Sequence, residues 1–312
     1  MSRLTANLLL IFVALIWGSA FVAQSLGMDH IGPMTFTGVR FLMGAVVVAP
    51  LMAWEWRKLR RQARPLQHRD GFTIAGLGGL LLLGAALQQI GIVSTTVTNA
   101  GFLTALYVPL VPLLSWMLLR QRPHWSAWPS ALACLGGAYL LSGVQSLSFL
   151  QGDAWVLAST LPWALHVLLI GRVADRLSAP FLVAGGQFLV CGVLASAWAL
   201  AFEPVSWDSL AAARWPLIYT GVLSVGVAFT LQVVAQRFAQ ATDAAILLSA
   251  ETLFAALFGY LLMNERVTAA GLLGCGLILV SMLSVQLLPL VPVMYRRAAA
   301  ANRGRSPGVK PG

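Results

Sequence analysis

Apolar residues gather in ten blocks along this chain, parted by short polar or turn-forming stretches. A hydrocarbon layer about 30 Å thick needs ~20 apolar residues per crossing helix. The pattern therefore predicts ten transmembrane helices at roughly 6–26, 33–54, 72–92, 100–119, 126–143, 154–171, 180–202, 216–236, 243–263 and 269–288. The breaks fall at Met28 to Pro33, Ser94 to Asn99, Arg120 to His124, Gln145 to Asp153, Arg172 to Ser178, Glu203 to Arg214 and Asn264 to Thr268. Helices are required because lipid offers no partner for a free backbone amide. The first apolar run, Leu8 to Leu26, outlasts a signal-peptide core of ~7–15 residues, and no A-x-A cleavage pattern follows it, so it reads as a retained helix.

Composition supports the same class. Of 312 residues, 59% are apolar and 10% charged, against about 25% charged in an average soluble domain. A soluble fold of this length could not hide so much apolar surface. Cys134, Cys191 and Cys275 all lie inside apolar blocks, which suits packed free thiols and not a disulfide frame or a metal site. The net charge of +10 would invite a nucleic-acid reading, but its distribution excludes one. With the N-terminus in the cytoplasm, seventeen of the twenty Lys and Arg fall on the cytoplasmic side: Arg3, six between Arg57 and Arg69, Arg120, Arg122, Arg172, Arg176, Arg237 and five from Arg296 to Lys310. The outer loops hold Arg214 and Arg266, and Arg40 lies within a helix. Positive residues stay inside, so both termini are expected in the cytoplasm. Eight tryptophans (54, 56, 125, 128, 155, 198, 207 and 215) sit near predicted helix ends as an interfacial belt, whereas Trp17 and Trp163 are mid-span. The polar, basic tail over 291–312 is expected to be disordered.

The second half repeats the first. At an offset of 144 residues, Leu87-Gln88 matches Leu231-Gln232, Thr98 matches Thr242, Leu103 matches Leu247 and Arg122 matches Arg266. Upstream the offset drifts, so that Trp17 pairs with Trp163 at 146 and Phe41-Leu42 with Phe188-Leu189 at 147. The units are expected at 1–143 and 152–290. Five helices per unit is odd, so the second copy enters from the opposite face. Inverted repeats are a hallmark of secondary transporters, whose solute site lies near the midplane between the repeats.

The stretches "ALIWGSAFVAQ" from Ala14, "TNAGFLTALYVPLVPLL" from Thr98 and "FTLQVVAQRFAQATDAAILLSAETLFAALFGYLLMNERVT" from Phe229 resemble the drug/metabolite transporter superfamily, in its ten-helix EamA-type branch. The similarity runs to about residue 288 and is most specific at the ninth helix ending in Asn264-Glu265-Arg266. Two departures stand out: Thr252 follows Glu251 where family members usually have proline, and Gln121 stands at the position matching Glu265. The resemblance implies export or exchange of small metabolites across a bacterial inner membrane, with amino-acid exporters, aromatic ones included, closest in pattern.

Three strongly ionisable side chains fall well inside the spans, Arg40, His166 and Glu251. A central charge costs ~2.5–3.5 kcal/mol on insertion scales, so each invites an explanation. Glu251 reads as a holder of a solute ammonium or a coupling proton, or as a neutral acid bonding helices together. Arg40 reads first as a structural bond to helix ends or carbonyls, with a clamp for a solute carboxylate as the alternative. His166, after Pro162 and Trp163, lines the pathway or is a packed, bonded side chain. Tyr107 occupies the repeat position of Glu251. Gln88 and Gln232 line or gate a central path from opposite depths, or bond helix to helix. Trp17 and Trp163 are apolar walls for a ring-bearing solute or plain packing. Pro109, Pro112 and Pro162 are expected to kink their helices.

The best reading is a secondary transporter, exporter or exchanger, working by alternating access around a cavity between the repeats. It is not expected to be an enzyme or to need a cofactor; solute and lipid are the expected partners, with protons as a candidate coupling ion, and the sequence leaves the oligomeric state open, a monomer included. No G-x-x-x-x-G-K-[ST] loop is present for a P-loop pump. A membrane enzyme acting on a lipid-linked substrate would cluster its chemistry at one face, yet His30, His68 and His124 are scattered. A channel remains the other alternative.

Overall fold

The computed structural model describes residues 1–63, 66–141, 151–263, 266 and 268–288; the basic tail and the loop residues Asn264 and Glu265 lie outside these. The described residues form helices and no strand. The ten spans are α1 (Arg3–Gly27), α2 (Pro33–Arg61), α3 (His68–Ile92), α4 (Val97–Ala105 with Tyr107–Leu119) and α5 (Ala127–Leu141), followed by α6 (Gln151–Leu177), α7 (Pro180–Phe202), α8 (Arg214–Gln236), α9 (Ala241–Leu248 with Ala250–Met263) and α10 (Ala269–Leu287). Eight are long and apolar enough to cross a membrane; α5 and α10 are shorter.

Several helices outrun their apolar blocks. Helix α2 continues to Arg61, ending with Lys58, Arg60 and Arg61 in its last turn, where cations complement the helix dipole. Helix α6 continues to Leu177. Hydropathy marks where lipid ends, whereas helical hydrogen bonding can run on into the interface. Prolines acted unevenly. Pro109 has no N–H for the Ala105 carbonyl, and α4 breaks at Leu106. Helix α6 instead runs through Pro162 as one helix, so the kink expected there does not interrupt it.

The two halves are inverted, and the antiparallel pairing of α2 with α7 makes this visible. Glu203, just past the end of α7, accepts hydrogen bonds from the backbone N–H groups of Met34 (2.9 Å) and Thr35 (2.7 Å) and from the Thr35 hydroxyl (2.6 Å), at the start of α2. Glu55, near the end of α2, accepts from the Leu182 N–H (2.8 Å) at the start of α7. Each carboxylate thus fills orphan amides at its repeat partner's N-terminus. Helices α5 and α10 also cross closely, because a Cβ at Gly137 would lie 2.6 Å from the Gly274 carbonyl. The eight tryptophans expected at helix ends are all exposed, from 37% (Trp128) to 86% (Trp207). With exposed leucines such as Leu200, Leu272 and Leu273 they form the lipid-facing surface.

Candidate functional site

Helices α4 and α9 are both broken at the centre of the molecule, at Leu106 and Ser249, within one residue of equivalence across the repeat. Proline explains the break in α4. No proline is present in α9; there the Ser249 hydroxyl bonds the Ile246 carbonyl (2.6 Å), offering the backbone an alternative to the regular ladder. Tyr107 and Glu251 stand just after the two breaks. Helix α8 departs differently: Tyr219–Phe229 is wound as a π-helix, whereas its repeat partner α3 is regular. Wide turns of this kind recur at functional sites. Here they bring the Ser224 carbonyl to the Trp17 indole N–H (3.2 Å). The Phe229 ring lies 4.5 Å from Trp17 and 5.9 Å from Trp163, nearly parallel to the latter.

These features converge on one cavity between the halves, about 50 Å³ in volume, room for a few waters. Trp17, Arg40, Gln88, Tyr107, Trp163, Gln232 and Glu251 all line it, together with Phe21, Gln24, Thr104, Val167, Ser224 and Phe229. His166 does not. It is fully buried behind the wall, its Nε2 2.8 Å from Gln187 Oε1 and its ring edge-on to Trp163 and Phe229. Gln236 likewise turns away, its amide donating to the Val167 carbonyl (3.0 Å).

The lining is rich in hydrogen-bonding groups that the protein does not use. Both amide atoms of Gln232, the Trp163 indole N–H and the Arg40 Nε are buried without a partner. Glu251, 5% exposed, has no hydrogen bond or ion pair among the described residues. Arg40 is held on one side only: Nη1 donates to Gln24 Oε1 (2.7 Å), and its guanidinium lies 5.2 and 5.5 Å from the Phe41 and Phe36 ring centres. Its bond therefore goes to a side-chain amide oxygen on α1, and not to a helix end or backbone carbonyl. Gln88 donates to the Thr104 hydroxyl (2.8 Å), and Tyr107 to the Ala245 carbonyl (3.4 Å). Buried polar groups are normally satisfied; among the described residues, four of the thirteen unpartnered buried side-chain atoms line this cavity beside the Arg40 guanidinium and the Glu251 carboxyl, a lining suited to a polar ligand.

A vestibule of about 470 Å³ leads toward the cavity from the face where α4, α6 and α8 end and α9 begins. Gln121, Arg122, Arg172, Asp175, Gln236, Arg237 and Gln240 line it, and Val167 belongs to both spaces.

Residues 4–143 and 150–286 each match the EamA-like transporter family. This chain belongs to that family. Among EamA-like relatives, an uncharacterized transporter of Archaeoglobus fulgidus is 32% identical over 286 residues, covering 91% of this chain and 87% of the relative. The threonine/homoserine exporter RhtA of Escherichia coli K12 is 26% identical over 279 residues, covering 87% and 88%. A solved structure superposes with a TM-score of 0.74 at 20% identity, over 91% of this chain and 99% of the other, which supports the fold. This EamA-like chain is thus a multi-pass membrane transporter and not an enzyme.

Gln24, Thr104, Ser224 and Phe229 were not legible as site residues. Gln24 carried a signal, being one of few amide side chains inside α1. The other three have none, since a Thr, Ser or Phe in a membrane helix is ordinary.

Proposed function

We propose that this protein is an alternating-access exporter or exchanger of small zwitterionic metabolites, amino acids foremost, in a bacterial-type inner membrane. The observation that carries the reading is that Arg40 and Glu251 line one cavity without pairing to each other. A buried charge without a counter-charge is costly. An α-amino acid supplies both missing partners, its carboxylate to Arg40 and its ammonium to Glu251. Trp17, Trp163 and Phe229 offer a flat apolar wall to the side chain, and Gln232 has two free hydrogen-bonding atoms for its polar groups. The likeness to a threonine/homoserine exporter points the same way. The cavity is smaller than an amino acid, so loading requires the aromatic wall to shift.

The vestibule opens on the face that collects the Lys and Arg, which makes it the cytoplasmic mouth by the positive-inside rule. Glu251 also offers itself to a coupling proton, in which case solute and proton compete for one carboxylate. The test is counterflow in proteoliposomes against a panel of amino acids, sugars and nucleotides, with and without a pH gradient. Zwitterionic amino acids should exchange fastest. Preference for an uncharged or phosphorylated solute would overturn the reading, and an absent gradient effect would remove the proton from it.

A further inference from the structure

The vestibule on one face has a counterpart on the other, and the inverted repeat says where. Carried across the repeat, vestibule residues Val167 and Leu168 become Phe21 and Val22 at an offset of 146, and Gln236 and Ala241 become Ile92 and Val97 at 144. All four images are buried and belong to a single apolar cluster, packed against partly buried Met28, Phe102 and Phe258. Val167, Leu168 and Gln236 are themselves buried but border the open vestibule, whereas their images close on one another as an apolar plug.

The helices around that plug meet at glycines. A Cβ on Gly18 of α1 would lie 2.4 Å from the Phe254 Cβ, 2.7 Å from the Glu251 carbonyl and 2.8 Å from the Ala255 nitrogen, all in α9. At the membrane end, a Cβ on Gly152 of α6 would lie 2.2 Å from the Gly91 carbonyl of α3, and one on Gly91 would lie 2.7 Å from the Gly152 carbonyl. No methyl fits at any of these places without moving backbone. The repeat images of Gly18, Gly91 and Gly152 are Ala164, Ala235 and Ala6. Ala164 is buried in one cluster with Tyr107, Val108 and Val111, the α4 images of the residues Gly18 touches or adjoins in α9.

We propose that these three glycine–alanine pairs set the resting bias of the transporter. Glycines let the plug side close fully, while a methyl at each equivalent position keeps α6 from closing on α4 and α8 from closing on α1 at the vestibule, where the α6–α8 contact at Gly171 is already tight. The outward mouth then opens between α1, α3, α4 and α9 by parting Phe21, Val22, Ile92 and Val97. The inference rests on the alternating-access reading but concerns conformation alone.

It is tested by thiol labelling of solubilised protein, where both faces are reachable and solute is not needed. Val97→Cys reports the plug and Ala241→Cys the vestibule, with the unsubstituted protein giving the background from Cys134, Cys191 and Cys275. In an otherwise wild-type chain, Ala241→Cys is expected to react quickly and Val97→Cys slowly. Adding Gly18→Ala should raise Val97→Cys labelling roughly tenfold, the range open to a state populated at about 0.1–10%, and slow labelling at Ala241→Cys. Ala164→Gly removes only a methyl and should move both reporters in the same directions, so it decides the matter where Gly18→Ala fails to fold. Unchanged labelling at both reporters in Ala164→Gly, or vestibule labelling that rises in either variant, would overturn the proposal. A failure here leaves amino-acid counterflow intact, whereas failure of the solute reading would leave these labelling shifts in place.

Discussion

The two halves occupy equivalent places with different chemistry. Arg40 on α2 corresponds to Gln187 on α7, and Glu251 on α9 to Tyr107 on α4. The first half therefore gives the cavity its guanidinium and the second its carboxyl group. Gln24 steadies Arg40 at 2.7 Å, while the corresponding position in the second half is Ile170 and Gln187 is occupied with His166. The backbone breaks, in contrast, are shared. The comparison teaches that symmetry supplies the hinge geometry and asymmetry supplies the polarity of the site. A solute bound between unlike charges has one orientation, which a symmetric lining could not impose.

The largest expected effect comes from removing one of the unlike charges. Glu251→Gln should lower amino-acid counterflow by about 100-fold or more, and Arg40→Gln comparably, on the scale of 2–5 kcal/mol seen when one member of a desolvated charge pair is truncated. Gln187→Leu, the neutral image of Arg40, should cost far less transport and register mainly as lowered melting temperature in a thermal-shift assay. Equal transport losses at Arg40 and Gln187 would break the comparison.

A smaller effect separates the reciprocal carboxylate caps. Glu203 accepts three hydrogen bonds from the start of α2, so Glu203→Gln should destabilise the protein by about 1–3 kcal/mol, the scale of hydrogen bonds to a charged group. Glu55 has a weaker hold on α7 through the Leu182 amide, and Glu55→Gln should cost less in the same denaturation measurement. The smallest effect is expected at His166. It stands behind the wall, so His166→Asn should change the solute KM by less than about twofold while lowering stability by about 1 kcal/mol through the loss of its bond to Gln187.

Much of this was readable from the chain, for identifiable reasons. Hydropathy located ten spans because lipid imposes one length on every crossing helix. Trp17 and Trp163 were separated from the belt tryptophans by depth alone, and the cavity holds both. The match of Gln88 with Gln232 and of Tyr107 with Glu251 puts them at equivalent mid-span positions of the repeat, and all four line the cavity. Arg40 was read first as structural because nothing in a linear sequence shows which way a helix turns its face. For the same reason His166 stood open between lining the pathway and packing, and the structure buries it behind the wall. The caps at Glu55 and Glu203 were invisible because both lie at the edge of apolar blocks, where an acid looks like loop. The break in α9 had no proline to announce it, and the π-winding of α8 has no composition of its own.

In the proposed binding mode each half contributes one charged group to one solute. Counterflow of an amino acid, its methyl ester and its deaminated analogue, run on the unsubstituted transporter, Arg40→Gln and Glu251→Gln, tests it directly. The unsubstituted protein should prefer the amino acid over both analogues. Arg40→Gln should lose its preference against the ester alone, and Glu251→Gln against the deaminated acid alone. If either variant keeps the full selectivity pattern, or both lose the same preference, the two charges do not divide the solute between them.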